Sequence, residues 1–400
     1  MRILHFGDVH IGIENYGKID PETGFNTRFL DFLNSLDEIV KYVQKTKPDL
    51  VLFAGDAYKD RNPTPTHQRE FAIRIKKMAV VAPVVLVVGN HDLPQALEKA
   101  NTLDIFSALL VQNVTVSRKP EILKIETKSG PIQILTLPWL TKGKLLEKNQ
   151  FAGKSQEDIQ KLLSQKLAKI VTKLIKKLDS NISAIAAAHI TCQGAVYGSE
   201  RSVMLGQDLI LPEKVFAHPK IKYTALGHIH KFQVLRKQPP IIYSGSINRI
   251  DFGEERDKKG FVQVEINDKT DFKFIPLKAR KFVTIKIDLS QATDPIVKVK
   301  KEIAKNNIKE AIVRVQVKVP EEQTEQVTDS DVRRYLGQAH QIASVSFETP
   351  ETKKVREIKY FEQSASPLDT LAEYLKFRKF SKSKREILKE YAEKLIEEIE

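Results

Sequence analysis

Aspartate, asparagine and histidine residues recur in short motifs that begin with glycine. These motifs are GDVH at 7–10, GD at 55–56, GNHD at 89–92 and GHIH at 227–230. Their side chains are carboxylates, imidazoles and an amide, a set of donors that suits manganese, iron or zinc better than copper(I) or an iron–sulfur cluster. The candidate site residues are Asp8, His10, Asp56, Asn90, His91, Asp92, His189, His228 and His230.

Each group of candidates lies at or just past the end of a predicted β-strand. The segments Ile3–Phe6, Leu50–Ala54 and Val84–Val88 are short and apolar, as buried strands are. Two further strands, Ile182–His189 and Tyr223–Leu226, lead to the remaining histidines. Helical patterns separate the first three strands and predict βαβ units with a sheet covered on both faces. Because the carboxyl ends of such strands line the ligand crevice, we expect the candidates to converge there.

The convergence of these side chains predicts a polynuclear metal site. Taken singly, a strand-end aspartate is more often a helix cap, and a buried histidine is more often a satisfied core residue. Two cations about 3.5–4 Å apart need a bridging group. Such a pair can activate a water molecule and stabilise both the attacking and the leaving oxygen in a displacement at phosphorus. Asp56 is the natural bridge. His91, beside the ligand Asn90, is expected to protonate the leaving alkoxide, with Asp92 fixing its orientation.

Composition limits the class of protein. A chain of 400 residues predicts two or three folded units. The net charge of +14 favours a polyanionic partner such as nucleic acid, although a generic basic surface is the alternative. The single cysteine, Cys192, excludes an intrachain disulfide and suits a reducing compartment. The N-terminus has no apolar signal region, and no stretch approaches the ~20 apolar residues that span a bilayer. We therefore expect a cytoplasmic protein with no membrane contact.

Further helices are predicted in the first part of the chain, and its character changes near residue 278. The helical patterns of the first part are Asn26–Lys47, Thr66–Met78, Asn101–Val111 and Glu157–Leu178. Strands at 281–288, 311–319 and 344–348 with helices at 296–304 and 330–342 then predict a small α+β unit over 278–349. A polar connector follows at 350–365, and two helices are predicted over 366–400. The last helix carries an apolar stripe formed by Ile387, Leu388, Tyr391, Leu395, Ile396 and Ile399. The stripe is expected to dock on a partner or to pack back on this chain.

The order of the motifs resembles that of the calcineurin-like metallophosphoesterase superfamily over roughly residues 1–275. The stretches GDAYKDRNPTP at 55–65, LPWL at 137–140 and YSGSINRIDFGEE at 243–255 are similar to those of SbcD-type DNA double-strand-break repair exonucleases. These are bacterial and archaeal relatives of the meiotic-recombination nuclease. The resemblance implies an α/β fold with a four-layer sandwich, in which two mixed sheets are flanked by helices, over a nuclease domain at 1–277.

The resemblance also implies roles for the candidate residues. One Mn²⁺ would be held by Asp8, His10, Asp56 and His230, and a second by Asp56, Asn90, His189 and His228, with other divalent cations as alternatives. His91 would be the catalytic acid. The activity implied is a 3′–5′ exonuclease and/or endonuclease at double-stranded DNA ends.

The remaining segments correspond to further parts of that family. Residues 278–349 would be its DNA-binding capping domain, and residues 366–400 would bind the partner, an SbcC-type ABC/SMC-like ATPase. A homodimer within a heterotetramer would form through helices at 65–82 and 101–111.

One position departs from the family, and two other functions stay open. Some members carry a histidine three residues after the bridging aspartate, where this chain has Lys59. Lys59 is either a point charge for DNA phosphate or a solvated loop residue, so the balance of exo- and endonuclease cleavage is open.

The basic run from Lys376 to Arg385 is either a DNA or partner contact or a solvated face. The other functions are a phosphatase or phosphodiesterase with a non-DNA substrate, and a non-catalytic scaffold, which the complete set of candidate ligands disfavours.

Overall fold

The computed structural model describes residues 1–94, 99–141, 145, 153–198, 209–320, 326–349, 368, 371, 375 and 382–397. The predicted connector at 350–365 lies outside the described residues, as do most of the first C-terminal helix and the basic side chains of Lys376, Arg378 and Lys379. None of the helices in the described part of the chain is long and apolar enough to cross a membrane.

The described residues form seventeen strands and seven α-helices. In chain order the strands are β1 Arg2–Phe6, β2 Leu50–Phe53, β3 Val84–Val87, β4 Val114–Ser117, β5 Glu121–Thr127, β6 Gly130–Leu137, β7 Ala184–His189, β8 Thr191–Cys192, β9 Ile210–Leu211, β10 Ile221–Gly227, β11 Gln233–Lys237, β12 Pro240–Tyr243, β13 Gly260–Ile266, β14 Thr270–Pro276, β15 Phe282–Asp288, β16 Ile312–Lys318 and β17 Gln341–Glu348. The helices are α1 Thr27–Thr46, α2 Pro65–Ala79, α3 Asp104–Ala108, α4 Gln156–Lys176, α5 Pro295–Ala304, α6 Asp329–Arg334 and α7 Lys382–Glu397. Short 3₁₀ helices lie at Glu213–Val215 and Phe252–Glu254.

Two six-stranded mixed sheets carry the candidate site. The first has the order β14-β13-β1-β2-β3-β4, in which β1 to β4 are parallel and β13 runs antiparallel to β1. The second has the order β11-β12-β10-β7-β6-β5, in which β6, β7, β10 and β12 are parallel. Parallel neighbours bring their carboxyl ends to one edge of the sheet, as the spacing of the motifs predicted.

Three clusters of buried side chains define four layers in the part of the chain that carries these two sheets. One cluster joins the first sheet to α1 and α2, and it includes Phe6, Phe32 and Phe71. A second cluster joins the second sheet to α4, and Leu167 is one of its members. The third lies between the sheets, where Leu52 of β2 and other branched side chains pack together. The α/β sandwich of two mixed sheets flanked by helices is therefore confirmed.

After β14 the chain forms a three-stranded sheet with the order β15-β16-β17. The chain divides into two compact units, of which the first holds 1–284, 306–314 and 336–344, and the second holds 285–305, 315–335 and 345–400. The predicted capping and helix-pair domains stay predictions.

Two predicted helices are shorter in the structure. The helix expected at 330–342 ends at Arg334, and β17 begins at Gln341, after the turn that contains Gly337. Glycine favours the end of a helix because its backbone gains more freedom outside it. The helix expected at 101–111 covers only Asp104–Ala108, and Leu110, with φ 50°, has the left-handed backbone that stops it.

Candidate metal centre

The candidate ligands converge at the carboxyl ends of five strands. Asp8 and His10 follow β1, Asp56 follows β2, and Asn90 follows β3. From the second sheet, His189 ends β7, while His228 and His230 follow β10. All of them except Asn90 are buried, so protein groups rather than bulk water surround most of the donor atoms.

One group of potential ligands consists of Asp8, His10 and His230. Their donor atoms lie within 4.8 Å of one another. The Nε2 atoms of His10 and His230 are 3.0 Å apart, and the Asp8 carboxylate accepts the backbone N–H of His228 at 2.9 Å. Two imidazole nitrogens and a carboxylate at this spacing form a ligand triad for a divalent cation.

A second group consists of Asp56, His189 and His228, whose donor atoms also lie within 4.8 Å of one another. The Asn90 Oδ1 atom is 2.9 Å from His189 Nε2 and 3.1 Å from His228 Nδ1, so it belongs to the same side of the site. Asp56 Oδ2 is 3.7 Å from His10 Nε2 of the first group and 3.4 Å from His189 Nε2 of the second. The bridging position predicted for Asp56 is consistent with these distances.

Hydrogen bonds on the far side of two imidazoles fix which nitrogen faces the site. His189 Nδ1 donates to the backbone carbonyl of Ala54 at 2.6 Å, and His230 Nδ1 donates to Glu254 Oε1 at 2.8 Å. In each ring the Nε2 lone pair is therefore directed to the ligand cluster. Partners of this kind orient metal-binding histidines and set their tautomer.

The backbone of the site is strained where it delivers ligands. Asp8, His10, Asp56 and His228 have φ values of 50°, 51°, 59° and 97°, in the left-handed region that non-glycine residues seldom adopt. Such residues persist where surrounding structure holds them, and they cluster at functional sites. Gly55 at φ 102° has a second constraint, because a Cβ atom there would overlap the ring of His189.

The charges of the protein groups prepare the site for cations. Burial lowers the pKa of His10 well below its usual value, and His230 adds to the effect, so this imidazole is neutral and its lone pair is available. Burial opposes the charge on Asp56, but His189, His91 and His10 outweigh it and hold its pKa well below the usual value. Burial likewise opposes a proton on His189, but Asp56 raises its pKa to about 9, so a bound cation would have to displace a proton from this imidazole before its Nε2 lone pair could bind. Carboxylate and imidazole donors in this arrangement fit divalent cations.

The structure corrects the role predicted for Asp92. Its carboxylate is fully buried and accepts the backbone N–H groups of Asp56 at 2.9 Å, Ala57 at 3.0 Å and Gly89 at 2.9 Å, together with the Thr102 hydroxyl. No hydrogen bond joins it to the His91 ring among the described residues. Asp92 therefore holds together the loops after β2 and β3, because an ionised carboxylate is the strongest acceptor for buried N–H groups.

His91 is held instead by Lys59. Its Nδ1 donates to the backbone carbonyl of Lys59 at 2.6 Å, and its ring stands edge-on to His10 at a centroid distance of 4.9 Å. The remaining Nε2 is the atom available to a substrate. The Lys59 side chain is exposed, so its backbone has a role that the sequence did not predict.

The sequence also missed two buried residues behind His230. Glu254 and Lys259 form an ion pair of 2.7 Å with both side chains 0% exposed. Burial opposes the charge of Glu254, but Lys259 and His230 lower its pKa below the usual range. The motif YSGSINRIDFGEE contains Glu254, but its neighbours in the sequence are themselves mostly charged, so the pattern did not mark this carboxylate as buried. Trp139, from the LPWL stretch, lies against His228 with ring centroids 4.9 Å apart.

Comparison with known proteins agrees with this geometry. The calcineurin-like phosphoesterase family matches residues 1–232. The D component of the nuclease SbcCD from Staphylococcus saprophyticus is 28% identical over 284 residues, which cover 70% of this chain and 69% of that protein. The protein of the same name from Staphylococcus epidermidis is 27% identical over 318 residues and 77% of each chain. The expected likeness to SbcD-type proteins is thus confirmed.

A solved dimetal phosphatase from Danio rerio aligns over 69% of this chain and 96% of its own, at 12% identity and a TM-score of 0.39, which is too weak to bear on function. The family match covers more than half of the chain and includes every candidate ligand. The chain therefore belongs to the calcineurin-like phosphoesterase family.

Proposed function

We propose that this chain is a two-metal nuclease that cleaves phosphodiester bonds in DNA. The observation that carries the proposal is the pair of ligand triads, Asp8/His10/His230 and Asp56/His189/His228, with Asp56 between them. The relatives named as part of a nuclease support DNA as the substrate. The net charge of +14 supports it as well, because phosphate contacts dominate the affinity of proteins for DNA.

Each residue of the site has a task in this reaction. Bound Mn²⁺ would supply the polarisation of phosphate and the activation of water. Asp8, His10 and His230 would hold one ion, Asn90, His189 and His228 the other, and Asp56 both. In its doubly protonated form His91 would protonate the leaving alkoxide through Nε2, while its Nδ1 proton stays hydrogen-bonded to the Lys59 carbonyl.

The exposed Lys59 side chain next to His91 would meet a DNA phosphate as a point charge. The activity would be 3′–5′ exonucleolytic, endonucleolytic or both at DNA ends.

A partner ATPase of the SbcC type is part of the proposal. The relatives are named as one component of SbcCD, and such a name implies a second component. In the described part of α7, Ile387 is 56% exposed and Tyr391 67% exposed, and Leu388 lies between them on the same stripe. An exposed apolar stripe on a helix is suited to docking in a groove of a partner.

A homodimer through α2 and α3 is also proposed. Ile73 of α2, Ile105 of α3 and Leu109 just after α3 are 40%, 45% and 68% exposed and line one groove. Apolar side chains exposed together in this way mark interaction surfaces. Substitution Leu109→Glu should convert the dimer to a monomer in light scattering, and an unchanged dimer would refute this interface.

The substrate is tested by comparing three reagents with Mn²⁺: linear duplex DNA labelled at either end, a small chromogenic phosphodiester, and a phosphopeptide. We expect cleavage of the labelled DNA by the wild type and its loss in His91→Ala, and the label that is released shows the polarity. Hydrolysis of the small phosphodiester or phosphopeptide without cleavage of DNA, with and without the ATPase partner, would refute the nuclease and favour the alternative of a phosphodiesterase or phosphatase.

A further inference from the structure

We infer that Glu254 is a positioning residue for His230, and that the buried pair Glu254–Lys259 gives the Asp8/His10/His230 site a higher affinity for its cation than the Asp56/His189/His228 site has. The inference deepens the proposed function and rests on its two-metal site. It concerns two side chains outside the ligand set and the order in which the two cation sites fill.

Glu254 contacts His230 on the side of the ring that faces away from the site. Glu254 Oε1 accepts the Nδ1 proton of His230 at 2.8 Å, while Nε2 of the same ring lies 3.0 Å from His10 Nε2. The carboxylate thus fixes both the tautomer and the direction of the lone pair. A carboxylate behind a histidine also makes the imidazole a stronger donor to a metal.

Lys259 holds that carboxylate and the histidine together. Lys259 Nζ lies 2.7 Å from Glu254 Oε2, and it also donates to the backbone carbonyl of His230 at 3.1 Å and to Ser246 Oγ at 2.8 Å. Glu254 Oε2 accepts the backbone N–H of Ile250 at 3.0 Å as well. Lys259 therefore balances the charge of Glu254 and holds the backbone of the same histidine. A buried ion pair needs such additional hydrogen bonds to offset its desolvation.

In the other cation site, His189 has a neutral partner at the nitrogen that faces away from the ligands, because its Nδ1 donates to the backbone carbonyl of Ala54 at 2.6 Å. His228 is not comparable, since its Nδ1 lies 3.1 Å from Asn90 Oδ1, a candidate ligand atom, and therefore faces into the cluster. His230 differs from His189, because the partner of its Nδ1 is a carboxylate. Since hydrogen bonds to an ionised acceptor are roughly twice as strong as neutral ones, the two sites should differ in affinity.

The chain offers a matched control in the next residue. The Glu255 carboxylate accepts the backbone N–H of Thr284 at 2.9 Å and its hydroxyl at 2.5 Å. Glu255 ends the same 3₁₀ turn as Glu254, but it makes no hydrogen bond to a candidate ligand among the described residues. Glu255→Gln therefore perturbs the turn without touching His230.

The experiment is a titration of the metal-free full chain with Mn²⁺, in which two affinities are measured by calorimetry and by electron paramagnetic resonance. The variants are Glu254→Gln, the double variant Glu254→Gln/Lys259→Met, and Glu255→Gln. The double variant removes both charges of the pair, so that no lone buried charge remains to unfold the protein. Trp139, the single tryptophan, lies 4.9 Å from the His228 ring and reports the second site by fluorescence quenching.

We expect the tighter Mn²⁺ site to weaken by about 10–100-fold in the double variant. The Mn²⁺ concentration that quenches Trp139 should stay unchanged, and Glu255→Gln should bind as the wild type. Two unchanged affinities in a folded double variant would overturn the inference but leave the two-metal function standing. Equal weakening of both sites, or a double variant that does not fold, would show that the pair is structural and overturn the inference too. A wild type that binds fewer than two Mn²⁺ would refute the proposed function and the inference together.

Discussion

Replacing Asp92 by asparagine distinguishes its role in the structure from a role in orienting His91. The Asp92 Oδ2 atom accepts the N–H groups of Asp56 and Gly89, and Oδ1 accepts that of Ala57 and the Thr102 hydroxyl. Asparagine has a single acceptor oxygen. Its amide NH₂ would therefore face N–H donors on one side, whichever way it turns.

The loss of stability in Asp92→Asn follows from the number of donor groups that lose their acceptor. The amide adopts the less costly orientation, with its NH₂ group towards Ala57 and Thr102, because the Thr102 hydroxyl can turn to accept and only one buried backbone N–H loses its acceptor, at a cost of about 1–3 kcal/mol. The bonds from Asp56 and Gly89 are kept but weakened, and removal of a buried charge offsets part of the loss, so we expect destabilisation of about 1–3 kcal/mol. The backbone of Asp56 and Asn90 also moves, and Mn²⁺ binding should weaken at both sites.

The assay is urea unfolding at pH 8 together with a Mn²⁺ titration. Burial raises the pKa of the Asp92 carboxyl to about 6, so the wild-type carboxylate is ionised at pH 8. Thr102→Val is the control, because it removes one hydroxyl donor of 3.2 Å and leaves the three backbone bonds in place. It should cost no more than about 1 kcal/mol.

Stability and catalysis separate the two roles of Asp92. An Asp92→Asn variant with the stability of the control and normal Mn²⁺ binding, but without DNA cleavage, would refute the structural role and assign Asp92 to His91 after all. Loss of stability and of Mn²⁺ affinity together supports the structural role.

Three further predictions concern other residues. His91→Ala should reduce the rate of DNA cleavage by about 10²–10⁴ while both Mn²⁺ affinities persist, and loss of metal in the calorimeter would contradict its assignment as an acid. Cys192 is 1% exposed and burial raises its pKa to about 12, so iodoacetamide at pH 8 should label it only in denaturant, which mass spectrometry detects. The pKa of Glu254 is lower in the folded than in the unfolded chain, where it is about 4.3. The contribution of this carboxylate to stability is therefore complete above about pH 4.3 and is lost as the pH falls further. In acid unfolding, Glu254→Gln should lose less stability below about pH 4 than the wild type loses.

The strands and the positions of the candidate ligands were predictable because both depend on local patterns. Short apolar runs fixed β1, β2 and β3, and the parallel order of neighbouring strands brings Asp8, Asp56 and Asn90 to one edge. The family resemblance added the second sheet and the layers.

The hydrogen-bond partners of the site were not predictable from spacing. Glu254 lies 24 residues from His230 in the sequence, and nothing in the spacing shows that their side chains meet. Asp92 was assigned to His91 because the two are adjacent, but its carboxylate reaches back 35 and 36 residues to the backbone of Ala57 and Asp56. The end of α6 was missed because the apolar pattern continues into β17, where the chain has already turned at Gly337.

The central claim is that one aspartate joins two cation sites. Mn²⁺ bound per chain, counted by elemental analysis of the dialysed protein, tests it most directly in the wild type, in Asp56→Ala and in His67→Ala. His67 lies outside the ligand triads and is the control. We predict two ions in the wild type and in His67→Ala, and at most one in Asp56→Ala. Two tightly bound ions in Asp56→Ala, or a single ion in the wild type, would contradict the claim.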